Sequence, residues 1–267
     1  SVFMGMSNST AQIVLSEIMF NPQGTERNNE FIEIYNAGTE TVDLSGWLVG
    51  DSTKNSNIVA VNDSTLLNPQ QFGIILSPNY FENSESYNVF IPEDALVLTI
   101  ESAQFGAYGL ANDRSERVTL RSPDSTRQSF WAYSTPNPDG ISEEKKVLEK
   151  GDKDFNWGNS TLVGGTPGYR NSIAPADYDL AIDSLSVRTL PQKPTRSDSI
   201  FISFKLFNNG IGKLDNTDLT AYLDESNNGL TNDDRILLQS GINTGALGWL
   251  DSMTTNISLQ PLPAGSW

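Results

Sequence analysis

The sequence predicts an all-β protein built from antiparallel β-sandwiches, and three observations support this. Short runs rich in Ile, Val, Leu, Phe and Tyr recur along the 267 residues. Clusters of Asn, Gly, Pro, Asp and Ser separate these runs, as turns separate the strands of a sandwich. Long stretches with the 3.6-residue period of an amphipathic helix do not occur. With 37% hydrophobic residues, the chain also has enough apolar material for packed cores.

The first part of the chain contains most of the predicted strands. One short surface helix is predicted at residues 142–150, "SEEKKVLEK", because a Ser cap precedes two Glu residues and Gly151 follows the segment. The apolar or alternating runs predict strands at residues 13–20, 30–36, 46–51, 57–61, 73–77, 96–100, 117–121 and 129–133.

Turn-forming residues crowd together at positions 164–175, "GGTPGYRNSIAP", and predict a domain boundary there. We therefore expect one domain at residues 1–172 and a second at 173–267. The strand at 199–207 should bury Ile200, Ile202, Phe204 and Leu206, whereas the strand at 179–187 changes phase near Asp183 and predicts a bulge. The second domain should have strands at residues 179–187, 199–207, 218–224, 235–238 and 252–259.

The composition excludes several classes of function. Acidic residues number 33 against 17 basic ones, and a formal net charge of -16 opposes binding to nucleic acid or anionic lipid. The chain has no Cys and no His, which removes disulfides, zinc–thiolate sites and Ser–His or Cys–His nucleophile pairs. No apolar run of about 18 residues is present, so we expect no membrane insertion.

Two glutamates in apolar strands are the first candidate site. In "NNEFIEIYN", alternation places Glu33 on one face with Phe31 and Tyr35, and Glu30 on the opposite face near solvent. In "IVLSEIMF", Glu17 should share a face with Ile13, Leu15 and Met19. If the two strands are neighbours, Glu17 and Glu33 meet. Three interpretations stay open: hydrogen-bonded anchors, a cation site or a catalytic pair.

The first domain resembles the lamin tail domain in its bacterial secreted form, over about residues 10–172. The resemblance rests on "IVLSEIMFNPQG", "NNEFIEIYNAGTETVDLSGWLVGD", "LLNPQQFGIIL", "GLANDRSERVTLRSPD" and "NWGNSTLVGGTPGYRN". It implies an immunoglobulin-like β-sandwich with Trp47 in the core and Gly46 at a turn. Nuclear lamins carry this domain as an interaction module, and bacterial versions accompany secreted or surface proteins, often beside hydrolases or adhesive domains.

The second domain resembles the cell-adhesion-related immunoglobulin-like domain called CARDB. The residues that carry the resemblance are "DYDLAIDSLSV" and "SDSIFISFKLFNNGIGKLDNTDLTAYLDESNNG". It implies a second immunoglobulin-like sandwich in tandem with the first. Fewer strands are visible than such a sandwich requires, so we expect the second domain to be incomplete at its C-terminus.

A calcium loop is the one candidate metal site. In "DESNNGLTNDD", oxygen side chains fall at alternate positions before Gly229, and this is the spacing of a calcium-binding loop. Arg235 stands where such loops have a bidentate acid, so a contracted loop that closes on Asp234 and an ordinary Asn/Gly-rich hairpin both stay open. The predicted ligands are Asp224, Ser226, Asn228, Leu230, Asn232 and Asp234.

These observations predict a non-catalytic binding or spacer module of a larger bacterial protein that is secreted or held at the cell surface. Its signal segment is not present in this sequence, and its partner is an unknown protein or cell-surface polymer. A first alternative is a carbohydrate- or ligand-binding accessory module of an extracellular hydrolase, with Trp131, Tyr133, Trp157 and Trp249 as a stacking platform. A second alternative is a hydrolase that uses Glu17 and Glu33 across an open cleft.

Overall fold

The computed structural model describes residues 13–124, 126–193, 195, 197–215, 217–224 and 235–259. The chain divides into two compact units, Ser1–Ala174 and Pro175–Trp267. Each unit is described by itself below. Within the described residues, no helix is long and apolar enough to cross a membrane.

Strands dominate both units, and the predicted all-β class is confirmed. The helical segments among the described residues are short: α1 (Glu26–Asn29), α2 (Tyr80–Asn83) and a 3₁₀ turn at Asp154–Asn156. The strands of the first unit are β1 (Ile13–Met19), β2 (Phe31–Asn36), β3 (Val42–Asp43), β4 (Leu48–Gly50), β5 (Asn55–Ala60), β6 (Leu66–Leu67), β7 (Phe72–Leu76), β8 (Leu96–Ile100), β9 (Glu116–Arg121), β10 (Arg127–Tyr133), β11 (Glu143–Lys145) and β12 (Trp157–Asn159).

The main sheet of the first unit has the strand order β10-β9-β4-β5-β8-β7-β2-β1-β11-β12. Its strands pair antiparallel except for β7 and β8, which are parallel. The sheet curves back on itself, because the backbone N–H of Leu15 on β1 donates to Ser129 Oγ on the edge strand β10 at 3.1 Å. The sheet therefore curls around one central core, in which Trp47 is buried as expected.

A second apolar cluster covers the opposite face of the same sheet. It contains Met19, Phe31, Ile74 and Leu76 from the strands, together with Tyr80 and Tyr87. The two tyrosines come from residues 77–95, which connect parallel strands β7 and β8 and are called the crossover below. Because the crossover lies on this face, strands β1, β2 and β7 are covered on both sides.

The predicted helix at residues 142–150 is wrong, because residues Glu143–Lys145 form strand β11 and are buried. Strand β1 offers β11 a free edge. The buried charged side chains of β11 find polar partners outside β1: Trp131 for Glu143, Ser172 for Glu144 and Asp152 for Lys145. A short isolated helix is unfavourable in water. Pairing with β1 therefore stabilises residues 143–145 as a strand more than the capping residues stabilise a helix.

A β-bulge in β1 corrects the predicted faces of that strand. The register with β2 shifts between Leu15 and Glu17, and this places Ser16 in the bulge. Ile18 therefore joins Leu15 in the central core, while Glu17 turns to the outer face with Met19. The alternation predicted for β2 is confirmed, since Phe31 lies in the outer cluster and Ile32 in the central core.

The second unit is built from β13 (Leu180–Leu190), β14 (Ile200–Asn208), β15 (Leu214–Asp215), β16 (Asp218–Asp224), β17 (Arg235–Asn243), β18 (Ala246–Leu247) and β19 (Ser252–Leu259). Strands β13, β14 and β19 form one sheet, and β15–β18 and β16–β17 form two-stranded sheets. Phe204 and Leu206 are buried with Ile200 and Ile202 packed beside them, as the alternation predicts. The bulge predicted near Asp183 is confirmed by a register shift between Asp183 and Arg188.

Candidate functional site

Three buried glutamates form a row across the outer face of the first sheet. Glu17 on β1 lies opposite Glu33 on β2 and opposite Glu144 on β11. All three side chains have 0% exposure. The predicted meeting of Glu17 and Glu33 is therefore confirmed. Glu144 was not recognised as a third member, because its segment was assigned to a surface helix.

Residues 164–173 cover this row and are called the closing segment. The backbone N–H of Thr166 donates to Glu17 Oε1 and Oε2 at 3.1 Å each, and the Ser142 hydroxyl donates to Glu17 Oε1 at 2.5 Å. The backbone N–H of Gly168 donates to Glu33 Oε2 at 2.5 Å. Each of these bonds ties the closing segment or its neighbour β11 to a buried carboxyl group.

Glu144 binds the end of the same segment. Its Oε2 accepts the Ser172 hydroxyl at 2.8 Å and the Ile173 N–H at 3.1 Å. Asn171 also takes part, because its Nδ2 donates to the carbonyl groups of Ser16 at 2.9 Å and Lys145 at 2.8 Å. The closing segment thus also satisfies a carbonyl group that the β1 bulge leaves free.

The Thr166 hydroxyl lies between two members of the row. Its Oγ1 lies 3.1 Å from Glu17 Oε2 and 3.0 Å from Glu144 Oε1. A hydroxyl has one proton to donate, so it can satisfy only one of these two carboxylates. Both contacts can be hydrogen bonds only if one of the facing carboxyl groups carries a proton. Burial favours the neutral form of a carboxyl group.

The pKa values agree with this arrangement. Burial raises the pKa of Glu17 from its ordinary value of 4.5 to about 8, and the nearby charge of Glu144 adds to the increase. Burial likewise raises the pKa of Glu33 well above its ordinary value, and the charge of Glu17 adds to it. Desolvation penalises a charged carboxylate, and a neighbouring like charge does the same.

Of the three interpretations of Glu17 and Glu33, the one that fits this geometry is that both are hydrogen-bonded structural anchors. Backbone N–H groups donate to Glu17 and Glu33, as the anchor interpretation predicted. A hydrolase would need an open cleft between its two carboxyl groups, whereas neither side chain here has exposed surface. Within the described part of the chain, no group of three or more acidic side chains is arranged to hold a metal ion.

The predicted exposure of Glu30 is wrong, because Glu30 is only 1% exposed. It lies on the inner face at the start of β2, where its Oε1 accepts the Leu110 N–H at 2.9 Å. A Cβ atom at Gly109 would come within 2.9 Å of the same oxygen, so glycine permits this approach. Burial raises the pKa of Glu30 to about 8, against the opposing effect of the Leu110 N–H.

Two of the four aromatic residues of the predicted stacking platform come together. The rings of Trp131 and Trp157 stack with centroids 5.0 Å apart, and Trp131 Nε1 donates to Glu143 Oε2 at 2.5 Å. Both rings line a cavity of about 280 Å³, and Trp131 is partly exposed. Tyr133 is instead buried in the core and stacked on Phe20, and Trp249 belongs to the second unit.

The crossover forms an apolar groove that was not predicted. The groove has a volume of about 420 Å³, and its wall includes Tyr80, Phe81, Ile91 and Val97. The only regular element described in the crossover is the four-residue helix α2, and long connections with so little regular structure are uncommon and often functional. The long gap between the predicted strands at 73–77 and 96–100 was the signal in the sequence that could have pointed to it.

Hydrogen bonds and stacked rings hold the groove in shape. The hydroxyl of Tyr80 donates to Asn88 Oδ1 at 2.8 Å and accepts the Tyr87 N–H at 2.8 Å. The Tyr87 hydroxyl donates to the carbonyl oxygen of Asn29 at 2.7 Å. Because the same rings belong to the outer apolar cluster, the groove is fixed to the sheet before any ligand arrives.

The predicted calcium loop falls almost entirely outside the described residues. Asp224 ends strand β16, where it pairs with Arg235 of β17. The loop between these strands remains a sequence prediction. The predicted ligands that lie outside the described residues are Ser226, Asn228, Leu230, Asn232 and Asp234.

Comparison with known proteins supports one part of the resemblance. Residues 6–135 match the family model of the Lamin Tail Domain, which covers just under half of the chain. This family has an immunoglobulin-like fold and is not enzymatic. A search of curated proteins finds no match. The resemblance of the second unit to CARDB stays a prediction.

Proposed function

We propose that this protein is a non-catalytic binding module of a larger secreted or cell-surface protein, with the first unit as the binding domain and the second as a spacer. The groove on the crossover is the observation that carries the proposal. It is concave, apolar and held in shape by Tyr80 and Tyr87. Preformed apolar pockets with a few polar groups are typical binding sites.

The match to the Lamin Tail Domain supports the same role. Crossover residues 77–95 lie inside the matched range of residues 6–135. The acidic side chains that chemistry would need are engaged in the structure of the first unit, where Glu17, Glu33 and Glu144 bind the closing segment. Binding at the groove leaves these anchors intact.

Selection of random peptides displayed on phage tests the proposal. The full chain is immobilised, and the selection is repeated against a Phe81→Ser variant, because Phe81 lines the groove and is 43% exposed. We expect peptides that the wild-type chain retains and the variant does not. Equal retention by both proteins, or no enrichment on either, would contradict a binding function at the groove.

Carbohydrate binding is a second candidate, and the cavity beside Trp131 and Trp157 favours it. Aromatic rings with polar neighbours suit a sugar ring, and Glu143 and Asp154 also line this cavity. Titration of tryptophan fluorescence with cell-wall oligosaccharides tests this function. We expect a saturable change that a Trp131→Ala variant lacks; a change of the same size in the variant would contradict it.

We further propose that calcium stiffens the second unit. The support is the oxygen-rich spacing of "DESNNGLTNDD" and the pairing of β16 with β17 on either side of it. Calcium at a hundredfold excess over its dissociation constant should stabilise the folded state by about 2.7 kcal/mol. Thermal unfolding with calcium and with chelator measures this effect.

An Asp224→Ala variant should lose the stabilisation by calcium, and an Asp218→Ala variant should keep it. If calcium does not raise the unfolding temperature of the wild-type chain, the segment is an ordinary hairpin.

The location outside the cell is supported by the resemblance to bacterial secreted proteins and by the acidic composition of the chain, which suits a soluble extracellular protein. Antibodies raised against the first unit test it on intact source cells and on the culture medium. We expect signal on the cell surface or in the medium. Signal that appears only after the cells are broken would contradict this location.

A further inference from the structure

We propose that the groove on the crossover binds a protein segment that carries both large apolar side chains and lysine or arginine. This inference rests on the proposed binding function and specifies the chemistry of the partner. It follows from three observations: the exposed apolar groups of the crossover, the charge of its surroundings and the shape of the groove.

Large apolar side chains are exposed along the crossover. Val89 is 85% exposed, Phe90 55% and Phe81 43%. The groove next to them has apolar walls that include Leu76 and Ile91. Contiguous exposed apolar surface of this kind marks interaction sites in soluble proteins. An apolar side chain of the partner can therefore be buried between Phe81 and the sheet.

The charged side chains around the groove are mainly acidic. Residues 55–113 contain no lysine and no arginine, and none lines the groove among the described residues. Helix α1 packs against α2 and carries one basic residue, Arg27. Acidic side chains on the crossover are exposed, and Glu93 lines the groove itself. Among the described residues, no lysine or arginine pairs with Glu82, Glu85 or Glu93. The partner must therefore bring the positive charge.

A second depression adjoins the groove and places carboxylates beside the apolar walls. It has a volume of about 510 Å³ and shares Tyr80, Phe81 and Asn88 with the groove. Glu82 and Glu85 also line it. A partner segment can therefore insert an apolar side chain into the groove while a neighbouring cationic side chain reaches these carboxylates.

The same charge disfavours other occupants. Nucleic acid and anionic lipid are repelled by the exposed carboxylates of Glu82, Glu85 and Glu93, which line the groove and the depression beside it. A second copy of this chain carries a formal net charge of -16 and is repelled as well. A basic, apolar protein segment combines the hydrophobic burial and the opposite charge that the surface offers.

Fluorescence anisotropy of labelled peptides on the full chain tests this inference. The probe is a short peptide of alternating Lys and Leu, and the charge-reversed peptide of alternating Glu and Leu is the control. We expect the Lys–Leu peptide to bind at least about tenfold more tightly than the Glu–Leu peptide at low salt, and added salt to weaken its binding. Equal binding of both peptides overturns the inference.

Matched variants locate the binding. Phe81→Ser should weaken the binding of the Lys–Leu peptide about tenfold, because it removes an apolar anchor from the groove. The control is Phe155→Ser, at a side chain that is 56% exposed and does not line the groove. This variant should keep the affinity for the peptide within about twofold of the wild-type value. The pair Glu82→Gln and Glu93→Gln should weaken binding several-fold more than the pair Glu40→Gln and Glu149→Gln. Equal effects of the matched variants overturn the inference.

Different results would overturn the proposed binding function and the proposed preference for a basic partner. Phage-displayed peptides that depend on Phe81 but lack lysine and arginine would leave the groove as a binding site and overturn its preference for cations. Loss of Phe81-dependent binding for every peptide would remove the binding function itself.

Discussion

At the scale of single residues, the Thr166 hydroxyl links two of the buried glutamates and has one proton for both. Its Oγ1 lies within hydrogen-bonding distance of Glu17 and Glu144, and its backbone N–H also donates to Glu17. A buried carboxyl group beside two others is stable only if some of them stay neutral. The stability of the first unit should therefore depend on pH.

A Glu17→Gln variant tests this dependence. The pKa of Glu17 is about 8 in the folded chain and 4.5 ordinarily, so the folded state keeps a proton that the unfolded state releases between these values. The contribution of Glu17 to the free energy of unfolding is greatest below pH 4.5. It falls as the pH rises towards 8, by up to about 1.4 kcal/mol per pH unit. Because glutamine is neutral at every pH, the variant should show a shallower decline.

Urea unfolding of the first unit between pH 4.5 and pH 8.5 measures this decline. Glu82→Gln is the control, because it removes the same charge at an exposed position and should keep the wild-type slope. Identical slopes for Glu17→Gln and the wild-type chain would show that Glu17 does not hold a proton in the folded state.

Two adjacent glycines in the closing segment provide a matched pair for a second prediction. Gly164 and Gly165 both have positive φ angles, +92° and +72°. A Cβ atom at Gly165 would collide with Glu17 Oε1, whereas nothing lies within 4 Å of one at Gly164. Gly165→Ala should therefore cost about 2–4 kcal/mol of unfolding free energy, and Gly164→Ala about 1 kcal/mol. Chemical denaturation measures both; equal losses would contradict the contact with Glu17.

Sequence alternation was enough to predict which face of β2 carries Glu33, because strand β2 is regular. It failed for Glu17, since a bulge at Ser16 reverses the phase of β1 and local sequence does not reveal it. It also failed for Glu30, which is buried by contacts with residues near position 110. Whether such a side chain is buried, and on which face it lies, depends on contacts between residues far apart in the sequence.

At the scale of elements, β11 and the closing segment complete the sheet of the first unit. Strand β11 covers the free edge of β1, and Lys145 within it forms a buried ion pair with Asp152 at 2.9 Å. The matched family range ends at residue 135, before both elements. The first unit should therefore need more chain than the matched range to fold.

Truncated chains test this requirement. A fragment of residues 1–174 should fold cooperatively, because it keeps the closing segment over Glu17, Glu33 and Glu144. A fragment of residues 1–135 should not, because it leaves Glu17 and Glu33 without their donors and β1 without its neighbour. Circular dichroism during thermal unfolding distinguishes the two. A cooperative transition in the shorter fragment would show that the closing segment is dispensable.

Element prediction from sequence was most successful for strands with strong apolar runs and failed where polar residues are buried. The run "IFISFKLF" predicted β14 and its buried face. The segment "SEEKKVLEK" predicts a surface helix but forms a strand, because a buried strand of charged residues has no local signal in the sequence. Glu143 is buried there because Trp131 and Ser134 donate hydrogen bonds to it.

At the scale of the whole molecule, buried acidic side chains and exposed apolar side chains occupy different places in the first unit. Most of its buried acidic side chains hold the first unit together, while its exposed apolar side chains on the crossover lie among carboxylates. The overall class and the acidic surface were predictable from composition and pattern. The groove was not, because it forms from an irregular connection whose conformation is set by packing against the sheet.

Amide chemical-shift mapping of the isotope-labelled full chain tests the central claim most directly. Titration with the Lys–Leu peptide should shift the resonances of residues 80–97, which include most of the groove lining, and leave those of residues 129–133 and 157–159 unchanged. Shifts that cluster at the cavity beside Trp131 and Trp157, or in the second unit, would contradict binding at the crossover.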